Sequence, residues 1–354
     1  MSSAERQGVV RIAGRAVGDG CPALLIAEAG VNHDGNAGDA LRLVDAAADA
    51  GADVVKFQMF RAAELVTADA TTAAYQRAGG TTSQRALLER LELSEGDFAR
   101  VAEHCRRRGV LFLATPFSPP DVERLVRLAV PALKIASTDL NNLPLLRRAA
   151  ATGLPLIVST GAATADEIAA AVARLRGLGV GARLILLHCV SGYPTPLQAA
   201  NLRAIAALRA LSGVPCGFSD HTTSTAIAGW AVAAGACVLE KHFTLDRRRP
   251  GPDHAFSLEP AALAEYVRAA RDAETALGRG GLGLCELEHD VRAVARKSVV
   301  TAKAIRAGTL LTADLLTVKR PGGGIPPDEF DAVLGRRAAC DLAPDTVLTW
   351  ELLE

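Results

Sequence analysis

Eight apolar runs of strand length constrain the fold of this chain more than any other feature of its sequence. They occupy residues 24–31, 53–60, 110–117, 132–137, 154–160, 183–190, 214–220 and 237–243. Stretches with helical spacing follow the runs, as Leu41, Val44 and Ala48 follow the first. Apolar strands that alternate with helices are typical of parallel strands covered on their outside. Eight such units predict an α/β fold of the closed (β/α)₈ type, a TIM barrel.

Local signals agree with this alternation. Thr164 and Glu167 have the spacing of a capping box, which satisfies free backbone N–H groups at the start of a helix. The longest connection, residues 61–94, follows the second strand and contains Tyr75 and Gln76. Because loops after barrel strands lie on the catalytic face, we interpret this connection as a substrate lid.

The sequence changes character after Gly278. A glycine-rich stretch gives way to short segments separated by Gly, Pro and Asp turns, which indicates a small, loop-rich second domain. We therefore predict a barrel domain at residues 1–280, a linker at 281–293 and a small β-rich domain at 294–354.

The composition argues against two classes of partner. The 354 residues include 39 basic and 39 acidic side chains, so no long-range field favours nucleic acid or an anionic membrane. No apolar run reaches the roughly 20 residues of a membrane span, and the first residues lack a secretion-signal pattern. The seven cysteines include no CxxC pair, which indicates reduced thiols. Because Cys189 lies beside His188, a nucleophilic role of this cysteine stays an alternative. We expect a cytoplasmic protein that acts on small molecules.

Polar side chains end every one of the eight runs, at the edge where a barrel enzyme gathers its active site. They are Glu28, Asn32, His33, Lys56, Gln58, Thr115, Lys134, Ser137, Asp139, Ser159, Thr160, His188, Ser191, Tyr193, Ser219, Asp220, His221, Glu240, Lys241 and His242.

Lys56 and Lys134 lie inside apolar runs, where an unpaired ammonium group is costly to bury. One explanation is a structural ion pair, for instance between Lys56 and Glu28. The alternatives are a Schiff-base lysine and an anion site. Two lysines with several hydroxyl groups suit a phosphate together with a carboxylate.

His221 and His242 end neighbouring runs, so they leave the same edge of the predicted sheet. Each is either a hydrogen-bonded histidine without a ligand or one of two imidazole ligands of a divalent metal. Two nitrogen ligands alone favour a weakly held, exchangeable ion over structural zinc.

Longer motifs occur in a characteristic order along nearly the whole chain. They include IAEAGVNHDG, AGADVVKFQ, TPFS, KIASTDLNN, LHCVSGYPTP, GFSDHT, LEKHFT, RPGPDH and VKRPGGGI. In these motifs the chain resembles the bacterial sialic acid synthases, which make N-acetylneuraminate, legionaminate and related nonulosonates. The succession of GFSDH, LEKHFT and GPDH is highly specific, whereas AEAG alone would be weak.

The resemblance implies condensation of phosphoenolpyruvate with an N-acetylated hexosamine and water, which gives a nonulosonate and phosphate by C–O cleavage. It implies that Glu28, Lys56, Lys134 and Asp139 are catalytic. Phosphoenolpyruvate would be bound by Lys56, Thr115, Lys134, Ser137, Ser159, Ser191 and Ser219, and the sugar by Glu28, Gln58, Tyr193, Asp253 and Arg320. His221 and His242 would hold a divalent metal, with manganese expected and magnesium or cobalt as alternatives.

The resemblance also implies that the C-terminal domain is a SAF domain, similar to type III antifreeze proteins. In the family this domain reaches into the partner's barrel, which implies a swapped homodimer with Arg320 at the sugar's acetamido group. Asp139 departs from the glutamate of many relatives, and the lid loop lacks an asparagine that some relatives use on the sugar.

Several functional alternatives stay open at this point. The resemblance favours an unphosphorylated sugar, with N-acetylmannosamine slightly ahead of 2,4-diacetamido-2,4,6-trideoxymannose. The rival enzyme is another phosphoenolpyruvate-dependent synthase, which makes a 3-deoxy-ulosonate from a phosphosugar. Outside the enzyme class, the rival is an inert barrel with a sugar- or ice-binding tail.

Overall fold

A computed structural model of the protein describes residues 8–71, 83–278 and 280–354. The chain forms two compact units, Met1–Gly278 and Arg279–Glu354. The first unit begins with an antiparallel hairpin of β1 (Val9–Ile12) and β2 (Arg15–Gly18). This hairpin was not predicted from the sequence, because its two strands are only four residues long.

A parallel sheet follows, and each of its strands lies within one of the eight predicted runs. The strands are β3 (Leu24–Gly30), β4 (Val54–Met59), β5 (Leu111–Pro116), β6 (Leu133–Ile135), β7 (Leu156–Ser159), β8 (Leu184–Cys189), β9 (Cys216–Asp220) and β10 (Val238–His242). Their order is β5-β4-β3-β10-β9-β8-β7-β6, and the end strands β5 and β6 pack against each other. The sheet therefore closes, and the predicted barrel is confirmed.

Helices cover the outside of this barrel. They are α1 (Ala37–Asp49), α2 (Ala62–Leu65), α3 (Gln84–Glu89), α4 (Glu95–Arg108), α5 (Pro119–Arg127), α6 (Leu143–Ala151), α7 (Ala165–Gly177), α8 (Ala204–Ser212), α9 (Ile227–Ala233) and α10 (Pro260–Leu277). The predicted capping box of Thr164 and Glu167 starts α7. Gly109 ends α4 in the left-handed conformation (φ 71°), which glycine adopts without steric cost.

Two apolar layers hold the barrel together. The outward side chains of the strands pack under the helices, as Leu25, Val55 and Phe218 do. The inward ones form a separate core with Ile12 and Val17 of the hairpin. Because the interior near the amino ends of the strands is filled in this way, the open space for chemistry lies at their carboxyl ends.

The second unit has its own core, which includes Val299, Leu316 and Leu348. Its strands β11 (Ser298–Thr301) and β12 (Leu316–Lys319) pair antiparallel. Its helices are α11 (His289–Ala295) and α12 (Phe330–Val333), and α11 occupies part of the predicted linker. Among the helices that the structure describes, none combines the length and apolar composition needed to cross a bilayer.

Candidate active site

A layer of buried charges lies across the carboxyl ends of the barrel strands. Lys56 Nζ is 2.7 Å from Glu28 Oε2 and 3.6 Å from Glu240 Oε2, and it donates to Thr115 Oγ1 at 3.0 Å. Lys134 Nζ donates to Ser159 Oγ at 2.6 Å and lies 3.6 Å from Glu240 Oε1. The ion pair between Lys56 and Glu28, which was one of the alternatives for the buried lysines, is therefore present as part of a larger network.

Glu240 is the member of this network for which no role was predicted from the sequence. It lies between the two lysines, and Ser219 Oγ donates to its Oε1 at 3.0 Å. The orientation of Glu240 could not be read from the sequence, because three ionisable residues, Glu240 to His242, follow one another and only the pleat decides which of them faces inward. One sequence signal for this role was available: two buried lysines need two carboxylates to balance their charge.

The charges of this network shift one another's pKa. Burial disfavours the ammonium form of Lys56, but the carboxylates of Glu240 and Glu28 outweigh burial and raise its pKa. Burial lowers the pKa of Lys134 in spite of Glu240. For Glu240, the two lysines outweigh burial and lower the pKa. Burial raises the pKa of Glu28 to about 7, since Glu240 opposes the attraction of Lys56.

The raised pKa of Glu28 predicts a pH-dependent stability. Between its ordinary pKa of 4.5 and about 7, the folded protein keeps a proton that the unfolded chain has released. Glu28 should therefore contribute a loss of up to about 3 kcal/mol to the stability of the metal- and substrate-free protein as the pH rises through this window. The buried histidines, whose pKa is lowered, contribute in the opposite direction. Urea unfolding at about pH 5 and pH 7.5 should therefore show that Glu28→Gln gains stability relative to the wild type as the pH rises. The exposed Glu265→Gln is the control, and an equal change with pH in all three proteins would contradict the assignment.

Hydroxyl groups surround a second point of this edge, at Gly161. A methyl carbon added at Gly161 would lie 3.0 Å from Ser137 Oγ and closer still to Ser191 Oγ and Cys189 Sγ. The backbone N–H of Gly161 donates to Ser137 Oγ at 2.9 Å. The predicted residues Ser137 and Ser191 are thus together, and only glycine fits between them.

Cys189 is buried beside these hydroxyl groups. Its Sγ lies 3.1 Å from Ser137 Oγ, and burial raises its pKa. The neighbouring His188 points to the other side of the strand, where its Nε2 bonds the carbonyl of Ala200 at 2.9 Å. The pair lacks the contact that nucleophilic catalysis requires.

The structure brings His221 and His242 together, with ring centroids 5.6 Å apart. His221 Nδ1 bonds the carbonyl of Val190 at 2.7 Å, and a nitrogen that donates there leaves the other ring nitrogen as a lone pair. His242 Nδ1 is buried and has no hydrogen-bond partner among the residues that the structure describes. Burial lowers the pKa of His221 and puts that of His242 well below its usual value.

These two neutral imidazoles fit the expected metal site. A nitrogen with no hydrogen-bond partner is costly to bury, and a metal would satisfy it. Across the described ranges, no group of three or more His, Cys, Asp or Glu side chains is placed to bind one ion. A divalent metal held by His221 and His242 would therefore take its other ligands from water or substrate.

The predicted sugar residues of the barrel converge beside the histidines. A methyl carbon added at Gly30 would lie 3.4 Å from Asp253 Oδ2 and 3.5 Å from both Gln58 Nε2 and Glu28 Oε1. Asp253 Oδ2 is 3.8 Å from His242 Nδ1, and burial raises the pKa of Asp253 to about 6.

Tyr193 packs over the same region. Its ring centroid lies 4.3 Å from that of His221 and 5.1 Å from that of Phe256. The backbone after this tyrosine is linked to the end of β9, because the N–H of Thr195 donates to the carbonyl of His221 at 2.8 Å.

A buried hydrogen-bond chain anchors the loop that carries Asp253. The ring of His254 bonds Thr244 Oγ1 at 2.6 Å and Asp34 Oδ1 at 3.0 Å. Ser257 Oγ donates to the carbonyl of Asp253 at 2.6 Å. Asp34 belongs to the loop after β3, so this chain joins two of the strand-end loops.

Asp139 ends a short 3₁₀ helix, Ser137–Asp139, directly after the β6 end. Asn142 Nδ2 donates to its Oδ1 at 2.8 Å, and burial raises its pKa. Arg320 lies in the second unit, exposed after β12. Tyr75 and Gln76 of the predicted lid lie outside the described residues.

Comparisons with known proteins show the family of this chain. The NeuB family matches residues 43–281, and the SAF domain matches residues 296–354. An N,N'-diacetyllegionaminic acid synthase of Legionella pneumophila is 39% identical over 342 residues, which cover 95% of this chain and 96% of that protein. An enzyme of the same name from Campylobacter jejuni is 38% identical over 328 residues, which cover 92% and 98%.

The crystal structure of an N-acetylneuraminic acid synthetase from Leptospira borgpetersenii, in complex with citrate, superposes with a TM-score of 0.72 at 36% identity. It covers 80% of this chain and 95% of that one. These relatives are synthases of sialic and legionaminic acids. The chain therefore belongs to the NeuB family and carries a SAF domain at its C-terminal end.

Proposed function

We propose that this protein is a metal-dependent nonulosonate synthase. It condenses phosphoenolpyruvate with an N-acetylated hexosamine and water, and it releases phosphate by C–O cleavage. The observation that carries the proposal is the position of two buried lysines and a set of hydroxyl groups beside two neutral imidazoles. The relatives named as sialic and legionaminic acid synthases support the same reaction class.

Anion binding is the proposed role of the lysine network. Lys56 and Lys134, with the hydroxyl groups of Thr115, Ser137, Ser159, Ser191 and Ser219, would hold the phosphate and carboxylate of phosphoenolpyruvate. Charge-assisted bonds from ammonium groups are the strong ones, and burial strengthens them further. The lysines would also stabilise negative charge that develops as phosphate leaves.

The sugar would lie between this anion site and the histidines. Glu28, Gln58, Tyr193 and Asp253 would contact the sugar there. A divalent ion on His221 and His242, manganese in our proposal, would polarise the sugar's aldehyde. Carbon 3 of the enol would attack the aldehyde carbon, whose oxygen takes up a proton, and water would add at carbon 2 before phosphate leaves with cleavage of its bond to carbon 2. Asp139, which accepts a hydrogen bond from Asn142 Nδ2, would take the proton of that water.

The relatives bear on which sugar is used. Two of them are named N,N'-diacetyllegionaminic acid synthases, which favours 2,4-diacetamido-2,4,6-trideoxymannose. The motifs of the chain by themselves slightly favour N-acetylmannosamine. The test is phosphate release with manganese and phosphoenolpyruvate in the presence of each sugar. A phosphosugar, the substrate of the rival ulosonate synthases, forms the third arm. Release only with the phosphosugar, or with none of the three, would refute the proposal.

A homodimer is the assembly that we propose. Leu277, Leu282, Leu284, Leu287, Val291 and Val294 are all exposed, within one short segment around the point where the two units join. A concentration of exposed apolar side chains marks an interaction site. In the proposed dimer a second copy covers this segment, and its SAF domain reaches the first copy's barrel.

Arg320→Ala is expected to raise the KM for the sugar by about 10- to 100-fold, because a charge-assisted hydrogen bond to the acetamido group is lost. The KM for phosphoenolpyruvate should change little. Steady-state kinetics with one substrate varied at a time checks this, with the exposed Arg306→Ala as the control. Equal effects on both substrates would contradict the role of Arg320.

Mixed dimers test the crossing directly. A dimer of one Lys134→Met chain and one Arg320→Ala chain has one intact site only if Arg320 acts on the partner's barrel. At a sugar concentration far below the KM of Arg320→Ala, co-refolded mixtures should then recover up to about a quarter of the wild-type activity. No recovery, with mixed dimers present, would place Arg320 at the barrel of its own chain.

A further inference from the structure

A second ion pair lies directly behind the two histidines, on the other side of the sheet. Lys241 Nζ is 2.9 Å from Asp220 Oδ2, and both side chains are almost fully buried. The two residues are register partners on β9 and β10. Each immediately precedes one of the histidines.

This pair cannot reach the substrate space. Neighbouring residues of a strand point to opposite faces, so Asp220 and Lys241 face away from the side that His221 and His242 occupy. Tyr266 of α10 covers the pair from outside, with its ring centroid 5.7 Å from Lys241 Nζ. The proposed reaction gives these two charges no direct part.

Stability alone does not account for the pair either. The free energy needed to take two charges out of water offsets their attraction. Proteins with apolar residues of similar size in place of such a pair are often as stable. A buried ion pair is better explained by the geometry that it imposes, since it demands one particular arrangement of its neighbours.

That geometry concerns the backbone around His221. The N–H of Thr222 donates to Asp220 Oδ1 at 2.7 Å, and Lys241 Nζ donates to the carbonyl of Thr222. Hydrogen bonds thus hold the backbone on both sides of His221, and one of them comes from Lys241, the residue next to His242. The pair therefore joins the two histidine-bearing segments directly.

We propose that Asp220 and Lys241 are positioning residues, which set the separation of the His221 and His242 rings and thereby the affinity for a divalent metal. The proposal rests on the metal-binding role in the proposed function. Partners that orient metal ligands from outside the ligand set commonly change metal affinity by about 10- to 100-fold when they are removed.

The test variant is the double substitution Asp220→Asn/Lys241→Met. Removing only one partner would leave an unpaired buried charge and could unfold the protein. The introduced asparagine keeps an oxygen for the Thr222 N–H, whereas the introduced methionine cannot bond the Thr222 carbonyl. The control is Asp53→Asn/Arg271→Met, which removes an ion pair (2.7 Å) near the amino ends of the strands.

Manganese binding to the metal-free proteins is measured from the electron paramagnetic resonance signal of free Mn²⁺, without substrates. We expect the Kd to rise at least about tenfold in the Asp220/Lys241 variant and to stay at the wild-type value in the control. Saturating manganese should restore most of the variant's turnover, which a general folding defect would not allow.

The outcomes separate this inference from the proposed function. If the Asp220/Lys241 variant binds manganese with the affinity of the wild type, and the wild type is active, only the positioning role is overturned. A matching loss in the control would also overturn it, because general destabilisation would then explain the effect. A wild type that neither binds manganese nor releases phosphate would overturn both proposals.

Discussion

Replacing Lys134 with methionine is expected to lower kcat/KM for phosphoenolpyruvate by about a thousandfold, which corresponds to roughly 4 kcal/mol. Lys134 is buried, 2.6 Å from Ser159 Oγ and 3.6 Å from Glu240. Methionine fills a similar volume but offers no charge and no donor. Without the ammonium group, the negative Glu240 faces the incoming anion with only Lys56 to offset it.

Steady-state kinetics with phosphate detection checks this prediction. The exposed Lys303→Met is the matched control, because the same substitution there removes only a surface ion pair with Asp314. Thermal unfolding of both variants shows whether they are folded at the assay temperature. A loss of less than tenfold in a folded Lys134→Met protein would exclude Lys134 from the anion site.

His242→Ala is expected to remove manganese-stimulated turnover, with a loss of roughly a hundredfold or more. A bound metal supplies several kcal/mol of charge stabilisation, and a single imidazole cannot hold the ion at ordinary concentrations. We expect the fold to persist, since His242 ends its strand and its Nδ1 makes no hydrogen bond to the described part of the chain that would be lost.

The matched control is His188→Ala, which removes an imidazole from near the end of another strand on its outer side. Turnover is measured as a function of manganese concentration at a temperature where both variants are folded. His188→Ala should keep the metal response of the wild type. A normal manganese response in His242→Ala would show that this histidine is not a ligand.

Particular residues show how far the sequence could lead. The eight strands were predictable because each is a short apolar run, and local periodicity along the chain reports which face is buried. The meeting of His221 and His242 was predictable as well. They end consecutive parallel strands, and parallel strands place their carboxyl ends on one edge.

Other features depended on contacts between distant parts of the chain. Glu240 between Lys56 and Lys134, and Asp220 beside Lys241, follow from the register of neighbouring strands, which no local pattern specifies. The β1–β2 hairpin was not predicted, because its short strands acquire their stability only by filling the barrel interior with Ile12 and Val17.

The sequence by itself therefore determined the barrel, the family and the set of polar side chains at the strand ends, because local periodicity and motifs are enough to identify these features. Only the tertiary structure decided which carboxylate neutralises which lysine and which ion pair lies behind the histidines. Those pairings depend on the distances between side chains of neighbouring strands. The distances are set only when the sheet has closed with one register.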